Sequence, residues 1–89
     1  MNIIYNSYIL QKITGSREES ISIEKTSSIA NLIELLSIKY GTKFKNLMLD
    51  KENKKLKMLV LVNGSTITDV DYKIADADTV NILSFITGG

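Results

Sequence analysis

The chain has 89 residues, 44% of them hydrophobic and 24% charged, with a formal net charge of +1. That length makes one modest domain, and the near-neutral charge gives no electrostatic case for nucleic acid or an anionic membrane as partner. There is no cysteine and no histidine, which excludes disulfides, thiolate metal sites, a nucleophilic thiol and the commonest general base.

Residues 2–10, NIIYNSYIL, are rich in β-branched and aromatic types and read as a strand. Thr14-Gly15-Ser16 is a turn signal. The alternation Ser20, Ile21, Ser22, Ile23, Glu24 puts both isoleucines on one face, so 20–24 reads as a half-buried strand forming a hairpin with the first. Thr26-Ser27-Ser28 opens a helix, and either serine can cap its first amides. Ile29, Leu32, Ile33 and Leu36 follow at i, i+3, i+4, i+7 on one helical face, Tyr40 extends the stripe, and Gly41 stops it. Such a stripe must lie on another surface, and the sheet is the obvious one.

Residues 43–49 read as a short helical turn anchored by Phe44, Leu47 and Met48. Residues 50–57, DKENKKLK, read as a solvated loop because the acids partly cancel the lysines. Met58 to Val62 is a continuous apolar run, expected to be a central strand buried on both faces. Asn63-Gly64 is a tight-turn dipeptide, and Ser65-Thr66-Ile67 makes a short return strand. Asp69, Asp71, Asp76 and Asp78 resemble a calcium loop only superficially: the central glycine and terminal glutamate are missing, so no metal site is expected. Residues 79–85 form the last strand. No apolar run approaches the ~20 residues of a membrane-crossing helix. Met1-Asn2-Ile3-Ile4 also lacks a signal peptide's basic start, so a cytoplasmic location is expected.

The chain then closes on Gly88-Gly89. Two glycines adopt almost any backbone conformation and leave the α-carboxylate as the one functional group at the tip. The bland reading is a frayed end. The functional reading is a tail that presents its carboxylate to another enzyme. Residues 86–89 reach at most ~14 Å when extended at ~3.5 Å per residue, enough to enter a narrow channel. The expected division is a domain over 1–85 and a flexible tail over 86–89. The element order predicts an α+β, β-grasp fold: a mixed four- to five-stranded sheet with one main helix on one face, its first and last strands adjacent at the centre.

The second half carries a family resemblance. Leu61-Val62-Asn63-Gly64, the element Ile74-Ala75-Asp76-Ala77-Asp78-Thr79-Val80, and the closing run from Ile82 to Gly89 together resemble the MoaD/ThiS family of ubiquitin-like sulfur carriers. Ala77 stands where family members usually have glycine, and Ser84-Phe85 where molybdopterin-synthase small subunits usually carry two prolines, so the subfamily stays unassigned. The resemblance implies that a ubiquitin-activating-like adenylating enzyme uses ATP to activate the Gly89 carboxylate. A sulfur donor such as a cysteine desulfurase or rhodanese would then leave a thiocarboxylate. It further implies that Gly88, Thr87 and Ile86 give access to the partner's channel, that a large synthase subunit is a possible further partner, and that the chain binds no cofactor. Apolar side chains opposite the helix make Phe85, Leu59 and Leu61 the candidate partner contacts, with Phe85 equally readable as core edge. Two other destinations stay open: conjugation to lysines as a protein modifier, and a β-grasp interaction module that is never activated.

Overall fold

The computed structural model describes residues 1–52 and 54–84. The first strand, β1, covers Asn2–Asn6 and is shorter than the expected 2–10. Tyr8-Ile9-Leu10 turns instead into a helix, α1, over Tyr8–Thr14. It ends at Gly15, whose φ of 74° is the left-handed conformation that glycine adopts without steric cost. Strand β2 follows at Glu18–Ser20, two residues before the expected 20–24, and pairs antiparallel with β1. Ile21 and Ile23 lie beyond it, still half-buried against the core. Their alternation marks burial, not ladder pairing.

A two-residue strand, β3 (Ser27–Ser28), leads into helix α2, Ile29–Tyr40. Ser28 caps it, its hydroxyl accepting from the Asn31 amide at 3.1 Å. The amides of Ile29 and Ala30 donate to the carbonyls of Tyr72 and Val70 at 3.1 and 2.8 Å, so the acidic loop satisfies donors that the helix start leaves unpaired. Gly41, at φ 94°, separates α2 from α3, Thr42–Met48. Strands β4 (Leu59–Val62), β5 (Ser65–Ile67), β6 (Lys73–Ile74) and β7 (Thr79–Leu83) complete the chain order. The β4–β5 turn places Asn63 and Gly64 at φ 51° and 86°, the left-handed pair that a two-residue hairpin requires.

The main sheet has the order β2-β1-β7-β4-β5, and β3 pairs with β6 apart from it. The parallel β1–β7 pair runs in register from Asn2↔Thr79 to Asn6↔Leu83, and β4 flanks β7 antiparallel. This is the β-grasp arrangement. The stripe Ile29, Leu32, Ile33 and Leu36 is fully buried, packing with Ile3, Tyr5, Val60, Val62, Val80 and Ile82 from the inner face of the sheet and with Phe44 and Met48 from α3. Strand β4 departs from expectation. Val60 and Val62 are buried while Leu59 and Leu61 are half-exposed, because the helices cover one face of the sheet. Among the described residues no helix is long and apolar enough to cross a membrane.

One polar cluster lies inside this packing. Tyr5, Tyr40 and Phe44 form an aromatic group with ring centroids 6.0 to 6.5 Å apart. Both tyrosine hydroxyls donate to Glu19 Oε1, Tyr40 at 2.7 Å, and Lys39 Nζ donates to Oε2 at 2.7 Å. Burial pushes the Glu19 carboxyl up, but the three hydrogen bonds outweigh it and hold the group below its ordinary value. Burial, reinforced by the Glu19 hydrogen bond, raises the Tyr5 hydroxyl well above the usual tyrosine range.

Two outcomes follow from this packing. Leu32→Ala should cost about 2–5 kcal/mol in denaturant titration, as expected for a buried leucine; wild-type stability would mean that the helix face carries no packing energy. Glu19 has a folded pKa below its unfolded value, so its stabilisation is complete above about 4.5 and is lost as pH falls through the folded value. Glu19→Gln should therefore lower stability at pH 7 and flatten the loss of stability below pH about 4.5, measured as Tm against pH.

Candidate functional site

The last described strand, β7, lies at the centre of the sheet between β1 and β4, and Ser84 follows its final residue. Ser84 Oγ donates to Ser7 Oγ at 3.0 Å. Ser7 is the N-cap of α1 and is buried, yet its hydroxyl caps no helix amide; it holds the end of β7 instead. This pair was missed because an isolated serine in a polar–apolar alternation carries no periodic signal. Phe85, Ile86, Thr87, Gly88 and Gly89, and with them the tail division at 86–89 and the end of the expected strand 79–85, lie outside the described residues.

The start of β7 is held by a second polar device. Asn63 Nδ2 donates to Asp78 Oδ1, the Thr79 amide donates to Asn63 Oδ1, and the Ala75 amide donates to Asp78 Oδ2, at 2.8 to 2.9 Å. The hydrogen bond from the Ala75 amide, then that from Asn63, holds the Asp78 carboxyl below its ordinary range. Asp76 Oδ1 accepts from the Ile23 amide at 2.9 Å and from the Met1 ammonium at 3.3 Å, and its carboxyl is likewise lowered. Asp69 Oδ1 accepts from the Asp71 amide at 2.8 Å. Three of the four acids of this segment thus act as acceptors that shape turns. Among the described residues no group of three or more acids could hold a metal ion. Ala77 needs no glycine conformation, since the described non-glycine residues with positive φ are Lys54 and Asn63. The substitution carries no backbone strain.

The face of the sheet away from the helices is open. Its central row reads Glu18, Ile4, Asn81, Leu61, Thr66 across β2, β1, β7, β4 and β5. The next row toward the tail brings Asn6, Leu83 and Leu59 together. Leu59 and Leu61, the predicted partner contacts, are thus on one surface, half-exposed and beside the residues that lead into the tail. Ile4, Leu83 and Asn81 belong to the same surface and were not singled out from sequence. Their alternation within strands shows that they face away from Ile3, Tyr5 and Ile82, but only the strand order brings them together.

The model of the ThiS family matches residues 3–89. The chain belongs to the ThiS family. Proteins of this family are small carriers and not enzymes themselves. A search of curated proteins by sequence similarity returns no match. Among solved structures, the Pyrococcus furiosus protein assigned as molybdopterin converting factor subunit 1 superposes with a TM-score of 0.69 at 20% identity, covering 97% of this chain and 99% of that one. SAMP1 of Haloferax volcanii gives 0.70 at 15% identity, covering both chains completely. Urm1 of Trypanosoma brucei gives 0.68 at 22% identity, covering 99% of this chain and 95% of that one. These similarities establish a ubiquitin-like β-grasp fold.

Ser84→Ala should leave the fold intact and lower its stability by about 0.5–1.5 kcal/mol, the usual net worth of one such hydrogen bond. Chemical denaturation with and without the companion change Ser7→Ala checks this. The two losses should be strongly non-additive, because either change removes the same contact.

Proposed function

We propose that this chain is a sulfur carrier whose working group is the Gly89 carboxylate. Membership in the ThiS family and the central place of the last described strand, β7, support this reading. The family match is the observation that carries it: it runs over residues 3–89 and so includes the closing Gly88-Gly89.

A carboxylate is a poor electrophile and must first be activated. In the proposed sequence a ubiquitin-activating-like partner positions the Gly89 carboxylate so that its oxygen attacks the α-phosphorus of ATP. Pyrophosphate leaves and an acyl-adenylate remains. A sulfur nucleophile, supplied by a cysteine desulfurase or rhodanese type of donor, then attacks the acyl carbon and AMP departs. With a persulfide donor the product is an acyl disulfide; a thiol then attacks the donor's sulfur, the S–S bond breaks, the thiol and donor join in a disulfide, and a thiocarboxylate able to pass sulfur to an acceptor is left. No side chain of this protein is needed in these steps. Gly88, Thr87 and Ile86 thread the partner's channel, while Leu59, Leu61 and Phe85 form the docking contact. Acceptors of the molybdopterin, tungstopterin or thiamine-precursor type fit this reading, with a large synthase subunit as the second partner and the cytoplasm as the location.

A second destination for the same acyl-adenylate is favoured by one observation. The fold matches the small archaeal modifier protein 1 of Haloferax volcanii, at 14% identity and a TM-score of 0.70. Acyl transfer to a lysine amine would give an isopeptide bond in place of the thiocarboxylate.

The test is intact mass after incubation with the native activating enzyme, ATP and a sulfur source. A gain equal to the oxygen-to-sulfur difference is expected, whereas appearance of lysine-linked conjugates alone would favour the modifier reading. Extension by one residue beyond Gly89 should abolish pyrophosphate release, because the reactive oxygen would lose its alignment with ATP. Activation of the extended chain at the wild-type rate, without trimming, would overturn the carrier role altogether.

A further inference from the structure

A cleft between α1 and α3 carries positive charge that nothing beside it balances. Ile9, Lys12 and Ile13 of α1, Tyr40 at the end of α2 and Lys43 of α3 line it, and the space between them is about 460 Å³. The lining is thus three apolar or aromatic side chains, two lysines and no acid. Lys12 and Lys43 are exposed, and among the described residues neither takes part in an ion pair. Lys12 Nζ lies over the Tyr8 ring, 5.4 Å from its centroid. The Glu19 carboxylate, which meets the Tyr40 hydroxyl, is already occupied by two tyrosine hydroxyls and Lys39. The hollow beside the start of α2 is different: there Lys45, Lys51 and Lys54 are matched by Glu34, Asp50 and Asp71.

Apolar surface adjoins this charge. Tyr8 is 75% exposed and Ile9 47%. Single exposed apolar residues are ordinary, but these two sit side by side on α1 next to a cationic cleft with an aromatic wall. The complement of such a surface is an acidic segment that also carries an apolar side chain, since complementary potentials select one partner and reject cationic ones. The position of the cleft adds to this. Its Tyr40 ring packs edge-on against Tyr5 at 6.5 Å, and Tyr5 pairs in register with Ile82. Tyr8 follows Ser7, whose hydroxyl meets that of Ser84 at 3.0 Å. The cleft therefore lies at the end of the sheet where β7 finishes.

We propose that this cleft receives a segment of the adenylating partner in which carboxylates flank one apolar side chain. The carboxylates pair with Lys12 and Lys43, and the apolar group seats on Ile9, Ile13 and Tyr40. This rests on the reading that such a partner activates Gly89, and it adds the chemistry that the partner must carry. The two lysines attract the segment over a distance set by ionic strength, and the apolar seat holds it once it arrives.

The test is pyrophosphate release by the cognate adenylating enzyme at saturating ATP, followed against the concentration of this chain. The double variant Lys12→Glu, Lys43→Glu should raise KM for the chain about tenfold or more while kcat and Tm stay at their wild-type values. Added salt should raise the wild-type KM but not that of the double variant. Lys25→Glu with Lys73→Glu makes the same change in net charge, lines no part of the cleft, and should keep the wild-type KM. Ile9→Ala keeps both charges and should raise KM without changing its salt dependence. Should the glutamates lower Tm, Lys12→Gln with Lys43→Gln takes their place, with a raised KM again expected. A wild-type KM in the cleft variants, or an equal rise in the control pair, would overturn the proposal while leaving the carrier reading intact. A wild-type KM in Ile9→Ala would overturn the apolar seat. Absence of pyrophosphate release with the wild-type chain would overturn the carrier reading and this proposal with it.

Discussion

The parallel pairing of β1 with β7 organises everything else in this molecule. It joins residues about 77 positions apart along the chain, so the ends of the domain become its middle. With β7 central, Ile3, Tyr5, Val80 and Ile82 present one continuous apolar surface, and the α2 stripe has a single place to pack. The same pairing gives the opposite face its row of Ile4, Asn81 and Leu61. Core and open face are two results of one strand register. A slip of one residue would exchange the two faces and expose the core set.

Polar groups, not additional apolar area, hold the edges of this plan. Glu19 gathers two tyrosine hydroxyls and one lysine where β2, α2 and the aromatic group meet. Asn63 and Asp78 bracket the entry to β7, and Ser7 with Ser84 holds its end. In a small domain with a limited core, such local connections set where strands begin and stop. The central strand is therefore fixed at both ends, while the face it presents between them stays open.

Much of the architecture was legible in the sequence, for identifiable reasons. The α2 stripe has a strong 3.6-residue period, a serine cap and a glycine stop, and Ile29–Tyr40 formed as expected. Asn63-Gly64 marks its turn by backbone chemistry alone. Two elements were misread. Tyr8-Ile9-Leu10 has strand-like composition, but α1 is seven residues long and buries only Leu10 deeply, so it shows no helical period. β2 contains Glu18 and Glu19, which a search for apolar alternation passes over; Glu19 turns inward because two hydroxyls and an ammonium await it. The both-faces burial expected for Met58 to Val62 failed because the number of layers, which no single strand encodes, decides whether alternate residues are covered. The candidate site was half legible. Leu59 and Leu61 do share the open face, but Asn81 and Ser7 gain meaning only from strand order, and Phe85 lies outside the described residues.

The long reach of the central pairing also shapes the birth of the protein. On the ribosome, β1 emerges first and finds β2 close behind it, yet its other edge stays unpaired until residues 79–83 have been added. At synthesis rates of about 5–20 residues per second, that wait is on the order of 4–15 s. Throughout it, Ile3 and Tyr5 lack Val80 and Ile82 beside them, and one row of backbone amides and carbonyls stays unpaired. Non-local parallel pairing is also intrinsically slow to form once all its parts exist. The topology that places β7 at the centre thus leaves one edge of β1 waiting for its partner through most of the chain's synthesis.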